Sequence, residues 1–454
     1  MNTERIERAL RNATDTADVL IGAGVLGSVN EMFERNFGDQ SAVVVADENT
    51  FKVAGEDVVA HLKAAGRTMV DPYIFPGKPT LHAEYPHIEE LGESLRTHDA
   101  IPVAVGSGSL NDIVKRASYE CKRRYMVVGT AASMDGYTAF GAAITKEGYK
   151  QTMTCPAPRA VLADLTIMRQ APPRMTSSGY ADLLGKVTAG ADWLVADALE
   201  VEKVHPQVWS LVQGPLRHAT GSPAQLHAGD EEALDALIEG LVMSGLAMQA
   251  AASSRPASGA EHQFSHLWEM EGLGYHDEPP LSHGFKVGVG SIAIAALYEQ
   301  VLQRDLGDLD LQALCSKWPT WEQVEHDVRM AHTTPGLDRA AIVESRTKYV
   351  TADQLEKRLE LLRERWPELR KRLEEQLMTA DQLRQLLRDA GCPTHPSDIG
   401  QSLEAFKDTY ARSRMIRRRY TILDLATEAG ILNECVDELF APGGFWARDP
   451  AAKV

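Results

Sequence analysis

Short apolar runs alternate with amphipathic segments along the first third of the chain. Runs such as AVVVA are apolar at every position, which is typical of strands buried on both faces of a parallel sheet. Each run is followed by a segment with helical spacing, as EDVVAHLKAAG follows AVVVAD. Strands that alternate with helices predict a Rossmann-like α/β domain, which we assign to residues 1–172.

The pattern changes at Pro172 and Pro173, which end the preceding element. From there to the C-terminus the chain is predicted to be mostly helical, so we assign residues 173–454 to an all-α domain. The stretch EEALDALIEGLVMSGLAMQAAASS predicts a buried helix. The charged, leucine-containing segment 353–387 predicts two amphipathic helices broken at Pro367, since no heptad is sustained.

Composition narrows the class of protein. The formal net charge of −17 argues against nucleic-acid binding, although backbone amides can still bind small anions. Five scattered cysteines without a CxxC pair fit a reducing compartment. The charged first residues lack a signal-peptide core, and we expect no apolar run near the ~20 residues that span a bilayer. A cytoplasmic protein without a membrane partner is expected.

Three glycine-containing turns follow predicted strands. GAGVLG (22–27) fits G-x-G-x-x-G and precedes Asp47 by 20 residues, so it predicts either a dinucleotide-binding turn or a tight structural turn. GSGSLND (106–112) and GTAASMDGYTA (129–139) are two further candidates. All three would lie at the carboxyl ends of parallel strands, where ligands bind, and ordinary turn chemistry is the alternative for each.

Histidines provide the second candidate chemistry. His262 and His266 are four residues apart in SSRPASGAEHQFSH and would share one helix face, and His283 follows in LSHGFKVGVG. Asp182 in SGYADLLGK could add a carboxylate. Two imidazoles and a carboxylate suit a divalent metal with open positions, but the spacing matches no local metal motif, and two helix-surface histidines remain the alternative.

These segments together resemble the sn-glycerol-1-phosphate dehydrogenases, in particular their bacterial arabinose-operon branch. That family lies in the superfamily of iron-containing alcohol dehydrogenases and dehydroquinate synthase. The resemblance extends from about residue 18 to about residue 290 and more loosely beyond. It rests on six motifs in the family's order: VVVADENT, VGSGSLNDIVK, GTAASMDGYTA, SGYADLLGK, SSRPASGAEHQFSH and LSHGFKVGVG.

The resemblance implies a dehydroquinate synthase-like fold and an NAD(P)-dependent enzyme that interconverts dihydroxyacetone phosphate and sn-glycerol 1-phosphate. It makes the second glycine turn the pyrophosphate site and the first a structural turn. One divalent metal, zinc, nickel or iron, is implied on Asp182, His262 and His283. Asp135, Asp182 and His266 are implied at the substrate. The implied cofactor contacts are Gly108, Ser109, Leu110, Asn111, Asp112, Thr130 and Ser133.

Asp47 ends the run AVVVAD, so its carboxylate is expected beside an adenosine ribose, where it would favour NAD(H) over NADP(H). Capping of the next turn is its alternative role. Other functions stay open: a dehydrogenase of another phosphorylated polyol, a dehydroquinate synthase-like cyclase, a non-catalytic nucleotide-binding regulator, and a non-haem iron oxygenase. A homo-oligomer, a dimer or larger, is also expected.

Overall fold

The computed structural model describes residues 3–147 and 149–448, and the chain divides into two compact units. The first unit comprises Met1–Leu183, Gln207–Ser254 and Glu278–Gly284. The second comprises Leu184–Pro206, Arg255–Asp277 and Phe285–Val454. The predicted division at residue 172, with cofactor binding before it and metal and substrate binding after it, stays a prediction.

A six-stranded sheet forms the centre of the first unit, and a short antiparallel pair is separate from it. The strands are β1 (Asp18–Gly22), β2 (Ala42–Asp47), β3 (Met69–Phe75), β4 (Ile101–Gly106), β5 (Met126–Gly129), β6 (Ala142–Lys146), β7 (Tyr149–Met153) and β8 (Ala160–Asp164). The large sheet has the order β1-β8-β5-β4-β2-β3 with every pair parallel, and the small one is β6-β7.

Helices cover both faces of the large sheet. Alternate residues of one strand point into separate apolar clusters, with Val44 in one and Val43 and Val45 in the other. Burial on both faces explains why the central strands are apolar at every position. The first-unit helices are Thr3–Leu10, Val29–Phe37, Glu48–Thr50, Glu56–Ala64, Tyr85–Leu95, Gly108–Glu120, Leu165–Met168, Pro173–Leu184, Pro206–Ala219, Pro223–His227 and Glu231–Ala251.

Within the described residues that follow Asp164, only helices and turns occur. The predicted parallel α/β sheet followed by a mostly helical part is therefore confirmed. The remaining helices are Lys186–Ala198, Ala260–Met270, His283–Leu302, Leu311–Ser316, Trp321–Ala331, Leu337–Lys348, Ala352–Gln376, Ala380–Asp389, Leu403–Arg412, Ile422–Glu428 and Leu432–Phe440.

The predicted break at Pro367 is wrong, because one helix, Ala352–Gln376, contains this proline. An interior proline removes a backbone hydrogen bond and costs about 3 kcal/mol. A continuous apolar face on both sides of the proline offsets this cost. Its buried residues are Leu355, Leu359, Leu362, Trp366, Leu369 and Leu373.

Two helices, Glu231–Ala251 and His283–Leu302, are long and apolar enough to cross a membrane by length and composition. The expectation that no run approaches that length is corrected by this result. In each helix 83% of the most apolar window is buried inside the protein. Such burial is typical of core helices, whose apolar side chains are already removed from water.

Candidate active site

The parallel register aligns the ends of the central strands. Gly106 pairs with Gly129, and Gly129 pairs with Ala163, which precedes Asp164 at the end of β8. Gly22 pairs with Asp164. The three glycine-containing turns therefore leave the sheet along a single edge, as the sequence predicts.

The first of these turns is held by protein groups. Asp164 accepts hydrogen bonds from the backbone N–H of Gly24 at 3.0 Å and from that of Leu26 at 2.8 Å. Gly24 has φ +68°, a conformation that favours glycine. Amides that would otherwise be available to a phosphate are thus bonded to a carboxylate. These bonds agree with the structural role that the family resemblance implies for this turn, and that role stays a prediction.

The second turn packs its side chains inward. The helix Gly108–Glu120 begins two residues after β4, and a Cβ at Gly106 would lie 2.4 Å from a Leu110 methyl carbon. Leu110 and Asn111 are buried, and the Asn111 amide oxygen accepts from the Tyr125 hydroxyl at 2.8 Å. Contacts of these residues with a cofactor would therefore involve mainly their backbone.

Lys115 joins this helix to the third turn. Its buried ammonium donates to the carbonyl oxygens of Gly136 at 3.1 Å, Ala139 at 2.9 Å and Gly141 at 3.0 Å. Asp112 lies 3.4 Å from the same ammonium and accepts from the Ala143 N–H. Burial raises the pKa of Asp112, and Lys115 opposes that shift. The Asp112 carboxylate therefore supports the loop, and its contact with a cofactor stays a prediction.

Thr130 and Ser133 lie in the third turn. The Thr130 N–H donates to the Gly106 carbonyl at 3.1 Å, which ties the second and third turns together. The Ser133 carbonyl accepts from the Ser178 hydroxyl at 3.1 Å. Thr130 therefore lies close to the second glycine turn, and Ser133 lies beside the helix Pro173–Leu184. The contacts of both residues with a nicotinamide ring stay predictions.

Asp47 caps the turn after β2. One carboxylate oxygen accepts from the N–H groups of Asn49 at 2.8 Å and Thr50 at 3.0 Å, and the Thr50 side chain completes a capping box. This is the alternative role expected from the sequence. A cap bond through one oxygen leaves the second oxygen able to accept from a ribose hydroxyl, so the two roles are compatible.

Asp182 is fully buried near the end of the helix Pro173–Leu184. It accepts a hydrogen bond from the Asp135 N–H at 3.0 Å, and the Asp135 carboxylate accepts from the Ser244 hydroxyl at 2.8 Å. Asp182 and His283, both in the first unit, offer ligand atoms within 4.8 Å of each other. A buried carboxylate beside an imidazole is a donor set that suits a divalent metal.

Small residues bring these segments together. A Cβ at Gly179 would lie 2.0 Å from the Ala132 carbonyl oxygen, and one at Gly284 would lie 1.9 Å from the Ser178 carbonyl oxygen. Only glycine allows the helix of Asp182 to approach both the third turn and the first turn of His283–Leu302 so closely.

His262 and His266 lie in the second unit, on the helix Ala260–Met270, with ring centroids 5.8 Å apart. The predicted shared face is therefore observed. His262 is buried, and its Nδ1 lies 2.8 Å from a carboxylate oxygen of Glu261. His266 Nδ1 lies 3.3 Å from the Arg417 guanidinium.

Asp192 holds the start of this helix. It accepts from the Ala260 N–H at 2.7 Å, the Tyr298 hydroxyl at 2.6 Å and the Ile422 N–H at 2.8 Å. Burial, reinforced by the nearby Glu261 carboxylate, raises the pKa of Asp192 to about 7.

Several residues at these sites were not predicted from the sequence. Lys115 and Glu261 had a usable signal, because each is a charged residue inside one of the six motifs. Ser244 and Arg417 had none, since they come from segments more than 100 residues from their partners.

The fold and the first-unit residues define a class. The model of the iron-containing alcohol dehydrogenase family matches residues 20–172. The structure is similar to an iron-containing alcohol dehydrogenase from Thermococcus thioreducens, with a TM-score of 0.57 and 16% identity over 92% of this chain and 96% of that one. The fold is therefore that of the iron-containing alcohol dehydrogenases, which confirms the superfamily expected from the motifs.

Sequence relatives narrow the class. A glycerol-1-phosphate dehydrogenase (NAD(P)+) of Halalkalibacterium halodurans is 36% identical over 264 residues, 58% of this chain and 66% of the relative. One of Bacillus subtilis is 33% identical over 309 residues, 66% of this chain and 77% of the relative. The chain belongs to the glycerol-1-phosphate dehydrogenase family, and the resemblance inferred from the six motifs is confirmed.

The close approach at Gly284 gives a first prediction. Gly284→Ala places a methyl group against the Ser178 carbonyl. Both the Gly284 and the Ser178 segments meet there through backbone atoms, which cannot move apart easily. We expect a loss of stability on the order of 3 kcal/mol and a lower thermal unfolding midpoint.

Gly27→Ala is the matched control, because its added Cβ meets only a His61 carbon at 3.8 Å, an ordinary contact. Its unfolding midpoint should stay near that of the wild type. Equal midpoints for the two variants would contradict the importance of the Gly284 contact.

Proposed function

We propose that this chain is a metal-dependent NAD(P)H oxidoreductase that interconverts dihydroxyacetone phosphate and sn-glycerol 1-phosphate by hydride transfer at C2. The observation that carries the proposal is its membership in a family whose relatives are named for this substrate and for NAD(P)+. The buried Asp182 carboxylate and the partly buried His283 imidazole support it, because this reaction needs a group that polarises the C2 carbonyl.

Asp182, His262 and His283 are the proposed metal ligands. They supply one carboxylate and two imidazoles, which zinc, nickel and iron all accept. When bound, a divalent metal supplies Lewis acidity at the C2 oxygen of the substrate. Asp182 also accepts a hydrogen bond from the Asp135 N–H. The loop that carries Asp135, the proposed substrate contact, is therefore fixed relative to this metal ligand.

The nicotinamide cofactor supplies the hydride, and the protein supplies orientation. The proposed pyrophosphate site is the backbone of Gly108, Ser109 and Leu110, where helix N–H groups favour an anion. Thr130 and Ser133 would face the nicotinamide. His266, whose Nδ1 lies beside Arg417, is the proposed proton donor to the C2 oxygen or a substrate contact.

We also propose a cytoplasmic homo-oligomer, a dimer or larger. The scattered cysteines support a reducing compartment, and all five are free thiols in the structure. Size-exclusion chromatography with light scattering at several protein concentrations tests the oligomeric state.

The metal assignment is tested by chelation and by substitution of ligands. Chelator treatment of the purified enzyme should abolish turnover, and a divalent metal should restore it, because the carbonyl loses its polarising group. His262→Ala and His283→Ala should each lose bound metal, measured by elemental analysis, together with most of kcat.

His266→Ala is the matched comparison on the same helix. It should retain bound metal and lose catalytic efficiency. Near-normal kcat of the His262 and His283 variants in metal-free buffer would reject the assignment.

The substrate is tested with a panel of ketones. Dihydroxyacetone phosphate should be reduced with a far higher kcat/KM than dihydroxyacetone, because binding of the remote phosphate can lower the barrier at the reacting carbon. Chiral analysis should find sn-glycerol 1-phosphate. Formation of the 3-phosphate enantiomer alone, or equal rates on the unphosphorylated ketone, would overturn the reaction.

Asp47 is proposed to favour NADH over NADPH, which carries a 2′-phosphate. Two anions about 4 Å apart repel by about 1 to 4 kcal/mol, depending on exposure, and a ten-fold preference needs only about 1.4 kcal/mol. In Asp47→Ser the hydroxyl can still cap the turn, so the fold is preserved while the charge is removed. Its kcat/KM ratio for the two cofactors should lose much of the wild-type preference; an unchanged ratio would refute this role.

A further inference from the structure

Glu261 is a fully buried carboxylate next to a proposed metal ligand, and none of the roles expected from the sequence falls on it. Burying a carboxylate is costly unless hydrogen bonds compensate it. Glu261 accepts from the Gly259 N–H at 2.6 Å and from the Thr188 hydroxyl at 2.9 Å, and its third partner is His262 Nδ1 at 2.8 Å. All of these residues lie in the second unit.

The contact with His262 determines a tautomer. An ionised carboxylate can only accept hydrogen bonds, so His262 Nδ1 must carry the proton. The neutral imidazole then presents its lone pair at Nε2. A metal ligand uses a lone pair, so the Glu261 contact assigns the metal to Nε2.

The carboxylate is itself held rigidly. Thr188 fixes one oxygen while Gly259 and His262 share the other. A Cβ at Gly259 would lie 2.8 Å from the Glu261 carboxylate and 2.5 Å from that of Asp192, so the turn closes around both acids only with glycine. The Glu261 carboxylate is therefore more constrained than that of a glutamate on the solvent face of a helix.

We propose that Glu261 is a positioning residue for the metal site: it fixes the tautomer and ring orientation of His262 and makes Nε2 a stronger ligand. Carboxylate partners of metal-bound histidines act in this way. The inference rests on the proposed function, because it takes His262 as a metal ligand.

The test measures metal affinity and does not depend on activity. Full-length protein is depleted of metal and titrated with Zn²⁺ against a chromophoric chelator. Glu261→Gln keeps an acceptor and removes the charge, whereas Glu261→Ala removes both. We expect affinity losses of about 10-fold for Gln and about 100-fold for Ala.

Glu239→Gln is the matched control. Glu239 is also a buried carboxylate, but it pairs with Arg5 at 2.7 Å in the first unit. Its Zn²⁺ affinity should equal that of the wild type. A purely structural effect of losing a buried carboxylate would lower affinity in this variant as well, and would overturn the positioning role.

A spectroscopic signature separates positioning from general destabilisation. The Co²⁺-substituted Glu261→Gln protein should show altered visible absorption bands at saturating Co²⁺, because the ligand field at His262 changes. The Glu239→Gln protein should keep the wild-type bands. Unchanged bands in Glu261→Gln would count against the proposal.

His262→Ala separates the ligand set from the positioning role. If it loses Zn²⁺ while both Glu261 variants bind as tightly as the wild type, the role of Glu261 is refuted and the ligand set stands. If His262→Ala binds as tightly as the wild type, the ligand set fails and the role of Glu261 fails with it. Should the Glu261 variants not fold, Thr188→Val releases one carboxylate oxygen and should weaken Zn²⁺ binding; unchanged affinity would overturn the proposal.

Discussion

The parallel register of the central strands is the constraint on which the first unit depends. Gly106, Gly129 and Ala163 pair side by side, so the segments that follow them leave the sheet at one edge. A slip of one residue would turn the apolar set of a strand from one cluster to the other and expose apolar surface. Burial on both sheet faces therefore fixes the register, and the register places the glycine turns along one edge of the sheet.

Buried charged groups hold the first and third of these turns. Asp164 binds the amides of the first turn, so that turn cannot offer them to a phosphate. The Lys115 ammonium donates to the carbonyl groups of Gly136 and Ala139 in the third turn and to that of Gly141 just after it. Each buried charge would be unfavourable alone, and each is compensated by backbone groups that it holds in a defined conformation. The conformations of the first and third turns thus depend on single ionic side chains, Asp164 and Lys115, that lie outside the turns themselves.

Sequence patterns predicted the parts of the fold that local physics controls. Apolar runs gave β1, β2, β4 and β5. In β2, β4 and β5 the reason is burial on two faces, which needs apolar residues at nearly every position. The strand β3, MVDPYIF, was missed because it mixes polar and apolar residues, with only Phe75 buried. The helix through Pro367 was missed because its apolar face outweighs a local breaker. At the site, the shared face of His262 and His266 followed from spacing, whereas the partners Asp164, Ser244 and Arg417 depend on contacts that no local pattern reports.

Each of the three proposed metal ligands lies near a glycine at which an added side chain would overlap neighbouring atoms. Asp182 is three residues from Gly179, His283 precedes Gly284, and His262 is three residues from Gly259, and a Cβ at any of these glycines would overlap neighbouring atoms. Helices held by such close contacts cannot shift without separating the backbones that meet there, so the side chains they carry have little freedom of position. Rigid presentation is what a ligand set needs, because small displacements of positioned groups reduce metal binding and catalysis strongly. The same glycines therefore allow the close packing and, through it, hold the candidate site side chains in place. A change of substrate preference would come more readily from substitutions in the loops than from substitutions in these helices.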